Sequence, residues 1–212
     1  MAYNNRQGGF LGWFSSLPTV TKNLLIINIL GFIAISINDN LMVQWFALFV
    51  PRSPFFHIWQ PITYMFLHGS FFHLFFNMYA LLMFGSVLER CIGTKKFLTF
   101  YFVCGIGAAI AHVVTLMLMK SSSMIYVPTV GASGAIYGVL IGFAMFYPNS
   151  QLTLLFPPIT LKAKVFVWIF VGLELLMGVT ETADGIAHFA HLGGMVIGYL
   201  LLTYWIEKHK LW

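Results

Sequence analysis

The sequence predicts an all-α, polytopic membrane protein with six transmembrane helices and a membrane-associated first loop. Of its 212 residues, 59% are hydrophobic and only 8% are charged, whereas a soluble domain has roughly 25% charged residues. Several apolar stretches approach or exceed the roughly 18 residues that are needed to cross a bilayer. A net charge of +5 does not indicate a nucleic-acid partner, because the basic residues are scattered through short loops.

The hydropathy pattern divides the chain into a short tail at 1–18, which we expect to be flexible, a membrane domain at 19–207 and a second tail at 208–212. The six predicted spans cover about 22–37, 70–88, 97–119, 133–147, 163–179 and 187–206. Prolines and aromatic residues are frequent in the connection at 38–69. Prolines disfavour a straight spanning helix there, so we expect this first loop to lie in the membrane interface or to re-enter it.

The basic residues predict the orientation of the spans. Nine lie on the side of the two termini, and only Arg52 and Lys120 lie on the other side. The positive-inside rule therefore predicts a multi-pass cell-membrane protein with both termini in the cytoplasm. Spans two, four and six then begin near the outer surface.

Polar side chains occur at one predicted depth on these three spans. Ser133 lies between glycines at the head of span four, His73 and Asn77 share a face of span two, and His188 and His191 open span six. Polar residues inside a membrane are costly and are usually functional or paired. Their common depth favours a functional site.

Each of these residues also has a purely structural interpretation. Either histidine of span six could be satisfied by a neighbouring carbonyl, and Asn77 could hold two helices together. Three glycines of span four follow one another at four-residue spacing, which is typical of a ridge for close helix packing: Gly134, Gly138 and Gly142.

A serine and a histidine at one depth fit nucleophilic catalysis. A serine hydroxyl needs a base that removes its proton, and amide, imidazole and helix N-terminal N–H groups can stabilise an oxyanion. Tyr137, one turn after Ser133, could buttress a histidine ring. Both aspartates lie in predicted loops and Glu174 is placed too deep in span five. We therefore expect a Ser-His dyad, without a carboxylate.

Other intramembrane chemistries fit less well. No His-Glu-x-x-His motif is present and neither aspartate lies in a span, so the sequence does not indicate a zinc or an aspartyl protease. Cys91 and Cys104 indicate neither a disulfide nor a zinc site. We expect no metal and no cofactor, although a metal site formed by His73, His188 and His191 remains an alternative.

Taken together, these motifs resemble those of the rhomboid intramembrane serine proteases over nearly the whole chain. The resemblance rests on three stretches: Gly131-Ala132-Ser133-Gly134, His68 to Asn77 with His73 between them, and Ala190-His191-Leu192-Gly193-Gly194 followed by Gly198. It implies that Ser133 is the nucleophile and His191 the base. It also implies that His73, Asn77 and the Ser133 backbone N–H hold the oxyanion.

The resemblance assigns supporting parts to further residues. Tyr137 would stack on His191, Gly194 and Gly198 would pack span six on span four, and His68 would stand at the mouth of the site. Gly131 belongs to the serine motif, Glu89 and Arg90 would form a structural pair, and His188 receives no catalytic part. The family often has Trp-Arg in the first loop, whereas here Gln60 follows Trp59. Span five would be the lateral gate for a substrate.

The resemblance implies a serine endopeptidase that cleaves single-span membrane proteins near the outer face, where the site would open. Its partners would be transmembrane substrates and the lipid bilayer, and the sequence does not predict an oligomeric state. Two other function classes remain: a non-catalytic protein that binds membrane helices, and a small transporter or channel that uses the polar cluster as a pathway.

Overall fold

The fold is described from a computed structural model, which covers residues 9–118, 125–153, 158–180 and 185–209. The described part is mostly helical. Its helices are α1 Phe10–Ser15, α2 Thr19–Ile37, α3 Asp39–Phe46, α4 Gln60–Thr63, α5 Phe71–Ala80, α6 Ser86–Ile92, α7 Thr94–Leu118, α8 Ser133–Phe146, α9 Ala163–Thr180 and α10 Gly185–Glu207. A π-helical segment, Leu81–Gly85, joins α5 to α6. Two short antiparallel strands, β1 Gln151–Thr153 and β2 Thr160–Lys162, precede α9.

Four helices in the described part are long and apolar enough to cross a membrane: Thr19–Ile37, Phe71–Ile92, Thr94–Leu118 and His188–Glu207. Helix α8 is apolar but has only 14 residues. The structure therefore supports a helical protein with several membrane spans. That the protein has six membrane spans remains a prediction.

Glycines bring α8 and α10 into backbone contact. A Cβ atom on Gly194 would overlap the carbonyl oxygen of Gly134, and one on Gly198 would lie 3.1 Å from the Cα of Gly138. A Cβ on Gly138 would lie 2.5 Å from Sγ of Cys104 on α7 and 3.0 Å from the carbonyl oxygen of Gly194. The close packing that the glycine spacing predicted is thus present, and α8 is held between α7 and α10.

A buried carboxylate fixes the start of α2. Glu89, which is 2% exposed, accepts hydrogen bonds from the backbone N–H groups of Val20 at 3.0 Å and Thr21 at 2.7 Å, and from the Thr21 hydroxyl at 2.9 Å. These bonds satisfy free N–H groups at a helix N-terminus, where a negative charge is favourable. Arg90 donates to the carbonyl of Ser16 at 3.4 Å. Glu89 and Arg90 therefore both hold the chain segment that enters α2.

Part of the N-terminal tail is helical. Helix α1 lies within the tail, and it ends at the segment that Arg90 contacts. Residues 1–8 of the N-terminal tail and 210–212 of the C-terminal tail lie outside the described residues.

The first loop has a polar anchor of its own. Gln60 is fully buried, accepts from the Phe49 N–H at 3.3 Å and donates to the Phe55 carbonyl at 2.7 Å. The residue at the position of the family's arginine therefore serves a structural purpose here. The rings of Trp45 and Trp59 both stack on that of His57, and both indoles are exposed, which is compatible with the predicted interfacial location.

Gly194→Ala is expected to destabilise the fold by about 1–3 kcal/mol, because the added methyl meets backbone that can move only if the two helices separate. The measurement is thermal unfolding of the purified protein in detergent. Gly172→Ala in α9 is the matched control, because nothing lies within 4 Å of a Cβ added there. Equal stability of the two variants would show that the contact between Gly134 and Gly194 does not constrain the fold.

Candidate active site

The fold brings Ser133 and His191 together although 58 residues separate them in the chain. Ser133 is the first residue of α8 and His191 lies on α10. The distance between Ser133 Oγ and His191 Nε2 is 2.9 Å. Since α8 and α10 touch through Gly134 and Gly194, close backbone packing positions this pair.

A carboxylate completes the pair. Oε2 of Glu174, on α9, lies 3.0 Å from Nδ1 of His191 and 2.6 Å from Nδ1 of His188. The other oxygen, Oε1, accepts a hydrogen bond from the Tyr137 hydroxyl. The Glu174 side chain is only 7% exposed. A carboxylate held by three donors can remain ionised in such surroundings.

The placement of Glu174 at a different depth from His191 was wrong, because the two side chains are in contact. Helix α9 ends at Thr180, six residues after Glu174, and α10 begins at Gly185, six residues before His191. At about 1.5 Å per residue, Glu174 lies about 9 Å before the end of α9, and His191 lies about 9 Å after the start of α10. The two residues are thus equally far from the ends of consecutive helices, and their side chains meet.

The contacts of His191 determine which ring nitrogen carries the proton. A carboxylate oxygen only accepts hydrogen bonds, so the Nδ1–H of His191 donates to Glu174. The lone pair of Nε2 then faces the Ser133 hydroxyl. The ring of Tyr137 stacks on that of His191 with 4.3 Å between centroids and an interplanar angle of 10°, as the resemblance implied. Three side chains thus fix the position and tautomer of His191.

His73 lies next to Ser133 because residue 131 is a glycine. A Cβ on Gly131 would lie 2.8 Å from both Cε1 and Nε2 of the His73 ring, and 3.6 Å from Ser133 Oγ. Gly131 also has a φ of +133°, which other residues rarely adopt. Gly131 therefore allows the His73 ring edge to approach the serine.

Asn77 lies one turn after His73 on α5. It is 7% exposed, and its Nδ2 has no hydrogen-bond partner among the described residues. Buried donors normally have partners. An amide donor without a protein acceptor, on the helix face that carries His73, is suited to bind an oxygen atom of a substrate.

The structure contradicts the placement of His68 at the mouth of the site. His68 is fully buried, and its ring lies edge-on to that of His73 with 4.9 Å between centroids. Burial, followed by the nearby His73, lowers the pKa of His68 to about 3. His68 is therefore a neutral ring that packs against His73 from the protein interior.

One group of potential metal ligands occurs in the described part of the chain, namely Glu174, His188 and His191. This group shares His188 and His191 with the alternative metal site that the sequence suggested, but Glu174 takes the place of His73. The resemblance assigned His188 no catalytic part, and no local motif connects it with Glu174, which lies on the preceding helix.

Comparisons with known proteins place these contacts in a family context. A family model described as a rhomboid domain matches residues 56–208. The chain is 31% identical over 168 residues to Rhomboid protease AarA of Providencia stuartii, an alignment that covers 72% of this chain and 58% of that protein. It is 26% identical over 205 residues to Rhomboid-like protease 3 of Toxoplasma gondii, covering 93% and 72% of the two chains. With Rhomboid protein 1, mitochondrial, of Saccharomyces cerevisiae, identity is 33% over 149 residues, which covers 68% of this chain and 40% of the yeast protein.

The burial of His68 leads to a pH-dependent stability. Its pKa is about 3 in the folded protein against 6.5 ordinarily, so the unfolded chain binds a proton first as the pH falls. The contribution of the neutral His68 to the free energy of unfolding is therefore fully present above about pH 6.5 and decreases below it. Between pH 7 and pH 4.5, the free energy of unfolding of the wild type should fall by roughly 2–3 kcal/mol more than that of His68→Phe, because phenylalanine keeps a ring and does not titrate.

Thermal unfolding as a function of pH measures this difference. His209→Gln, which removes an exposed histidine, is the control for the loss of one imidazole. Identical pH profiles for the wild type and His68→Phe would contradict the assignment of a neutral buried imidazole.

Proposed function

The chain belongs to the rhomboid family, and on this premise we propose that it is an intramembrane serine endopeptidase that cleaves single-span membrane proteins near the outer face of the bilayer. The observation that carries the proposal is the 2.9 Å contact between Ser133 Oγ and His191 Nε2. The far side of the same imidazole is held by a buried carboxylate. A serine with an oriented base is what acyl transfer requires.

In the first step His191 acts as general base. Its Nε2 takes the hydroxyl proton as Ser133 Oγ attacks the carbonyl carbon of the scissile peptide. The imidazolium that forms lies beside Glu174, whose negative charge stabilises it. His191 then gives the proton to the leaving amine, and a water molecule, activated in the same way, hydrolyses the acyl-enzyme. Glu174 does not touch the reacting atoms, so it is a positioning residue.

The oxyanion would be held on the side of Ser133 that faces α5. Donors on that side are the His73 ring, Nδ2 of Asn77 and the backbone N–H of Ser133, which has no intrahelical partner at the start of α8. The unpartnered Nδ2 of Asn77 and the contact between His73 and Gly131 support this arrangement. Loss of one such donor costs about 10²–10³-fold in kcat in other proteases.

The length of α8 supports a reaction inside the membrane. Its 14 residues extend about 21 Å, less than the roughly 30 Å of a hydrocarbon core. A helix anchored at the cytoplasmic surface would therefore begin below the outer surface. The distribution of the basic residues supports cytoplasmic termini and a site that opens outward.

Helix α9 is the proposed side of substrate entry. Two of its large apolar side chains, Trp168 at 73% and Leu176 at 60% exposure, are turned away from the helical body. Gly172 has open space beside it. A substrate helix could therefore approach at this side, where Glu174 reaches inward to His191.

Ser133→Ala is expected to abolish both cleavage of a single-span test substrate in proteoliposomes and covalent labelling by a fluorophosphonate. His191→Ala should lower both rates by at least about 10³-fold, because the nucleophile then lacks its base. Ser36→Ala, which changes an exposed serine of α2, is the control and should behave like the wild type. Labelling that persists in Ser133→Ala would exclude Ser133 as the nucleophile.

Glu174→Gln is expected to lower kcat by about 10²–10⁴-fold with little change in KM, because a side-chain amide can donate to Nδ1 and favour the wrong tautomer of His191. Glu174→Asp should recover part of the loss, since it restores an acceptor-only carboxylate. Steady-state cleavage kinetics measure both effects.

Glu207→Gln, at an exposed position near the end of α10, is the control for the loss of one negative charge. Unchanged kcat in folded Glu174→Gln would show that the carboxylate does not position His191. If Glu174→Asp recovered no activity, a change in the tautomer of His191 would not explain the loss of kcat in Glu174→Gln.

A further inference from the structure

We propose that Glu174, His188 and His191 form an inhibitory binding site for a divalent transition-metal ion, with Zn²⁺ as the best fit. Metal binding rests on the geometry of the three side chains alone. The inhibitory effect rests on the proposed serine protease function.

The three side chains present ligand atoms to one small volume. Their ligand atoms, one from each residue, all lie within 4.8 Å of one another. His188 and His191 are three residues apart on α10 and share a helix face, while Glu174 approaches from α9. Both imidazoles direct Nδ1 at the same carboxylate oxygen, at 2.6 Å and 3.0 Å. Two imidazole nitrogens and a carboxylate are a known zinc ligand set, and the fourth position is commonly taken by water.

Small movements would convert the hydrogen bonds into metal coordination. Zinc–ligand bonds of about 2.0–2.2 Å at tetrahedral angles place ligand atoms about 3.3–3.5 Å apart. The two Nδ1 atoms would therefore move away from the Glu174 oxygen by less than about 1 Å. Tyr137 holds the second oxygen of the carboxylate, and outer contacts of this kind orient metal ligands. The imidazoles are 15% and 19% exposed, so a small ion can reach them.

Metal binding would reverse the tautomer that catalysis needs. A neutral imidazole carries one proton, and without metal that proton is on Nδ1 of His191, where Glu174 accepts it. A metal ion needs the lone pair of Nδ1, so the single ring proton moves to Nε2. Nε2 then faces Ser133 as a donor and cannot accept the hydroxyl proton. The ion would thus block the base without touching the nucleophile.

The ligand set also predicts selectivity. Imidazole suits zinc, copper, iron and nickel, whereas magnesium and calcium prefer oxygen ligands. Zn²⁺ and Co²⁺ should therefore bind and inhibit, while Mg²⁺ at the same concentration should do neither.

Binding is tested on the full-length protein in detergent, with Co²⁺ as an optical probe and Zn²⁺ as the competitor. One equivalent of Co²⁺ should give visible absorption bands of a four-coordinate ion, which Zn²⁺ should remove. His188→Gln and Glu174→Gln should each weaken Co²⁺ binding by at least about tenfold. His209→Gln, at an exposed histidine, should bind as the wild type does, and so should Ser133→Ala, which removes no ligand.

Inhibition is tested by cleavage and by fluorophosphonate labelling, with each variant compared with its own rate in EDTA. Zn²⁺ should inhibit the wild type reversibly, and His188→Gln should need at least about tenfold more Zn²⁺ for the same fractional inhibition. Unchanged Co²⁺ affinity in His188→Gln would overturn the metal site. If Zn²⁺ bound tightly but left the cleavage rate unchanged, the proposal that the metal ion inhibits the protein would be wrong. A protein that binds Co²⁺ but cleaves no substrate would instead refute the proposed function and leave the metal site standing.

Discussion

The contact between the backbones of α8 and α10 is the constraint on which the rest of the site depends. Because Gly134 and Gly194 have no side chains, the backbone of α10 at Gly194 packs directly against the carbonyl oxygen of Gly134 in α8. Lipid chains are as apolar as leucine, so helices in a bilayer gain little from hydrophobic burial and depend on close packing instead. The separation that this packing sets allows an imidazole on α10 to reach a hydroxyl on α8. The glycines and the reacting pair are therefore one structural feature.

The carboxylate of Glu174 organises the other side of that imidazole. A buried anion costs several kcal/mol unless hydrogen bonds compensate, and this one has three donors. They come from α8 and α10, so a single charge ties α9 to both other helices of the site. Such a polar network stabilises the structure only when every member has a partner, which makes His188 and Tyr137 part of the same arrangement.

Local patterns allowed much of the fold and site to be predicted. The glycine spacing indicated the packed helix pair, and intramembrane polar residues on three spans predicted a site formed by Ser133, His191, His73 and Asn77. Glu174 was missed because its depth relative to His191 depends on how α9 packs against α10, and the pattern of a single helix does not contain that information. His68 was misplaced for a similar reason. Whether a loop histidine faces solvent or the interior is decided by the three-dimensional path of the loop.

Because Glu174 lies on α9, the proposed entry of substrate and the orientation of the proposed catalytic base depend on the same helix. The side chain that holds the imidazole belongs to the helix proposed to border the entry route, and the outward face of that helix carries exposed apolar residues. Any tilt of α9 away from α10 lengthens the contact between Glu174 and His191 before it alters the one between Ser133 and His191. In the proposed protease, the position of α9 would therefore affect the orientation of the catalytic base as well as the entry of substrate.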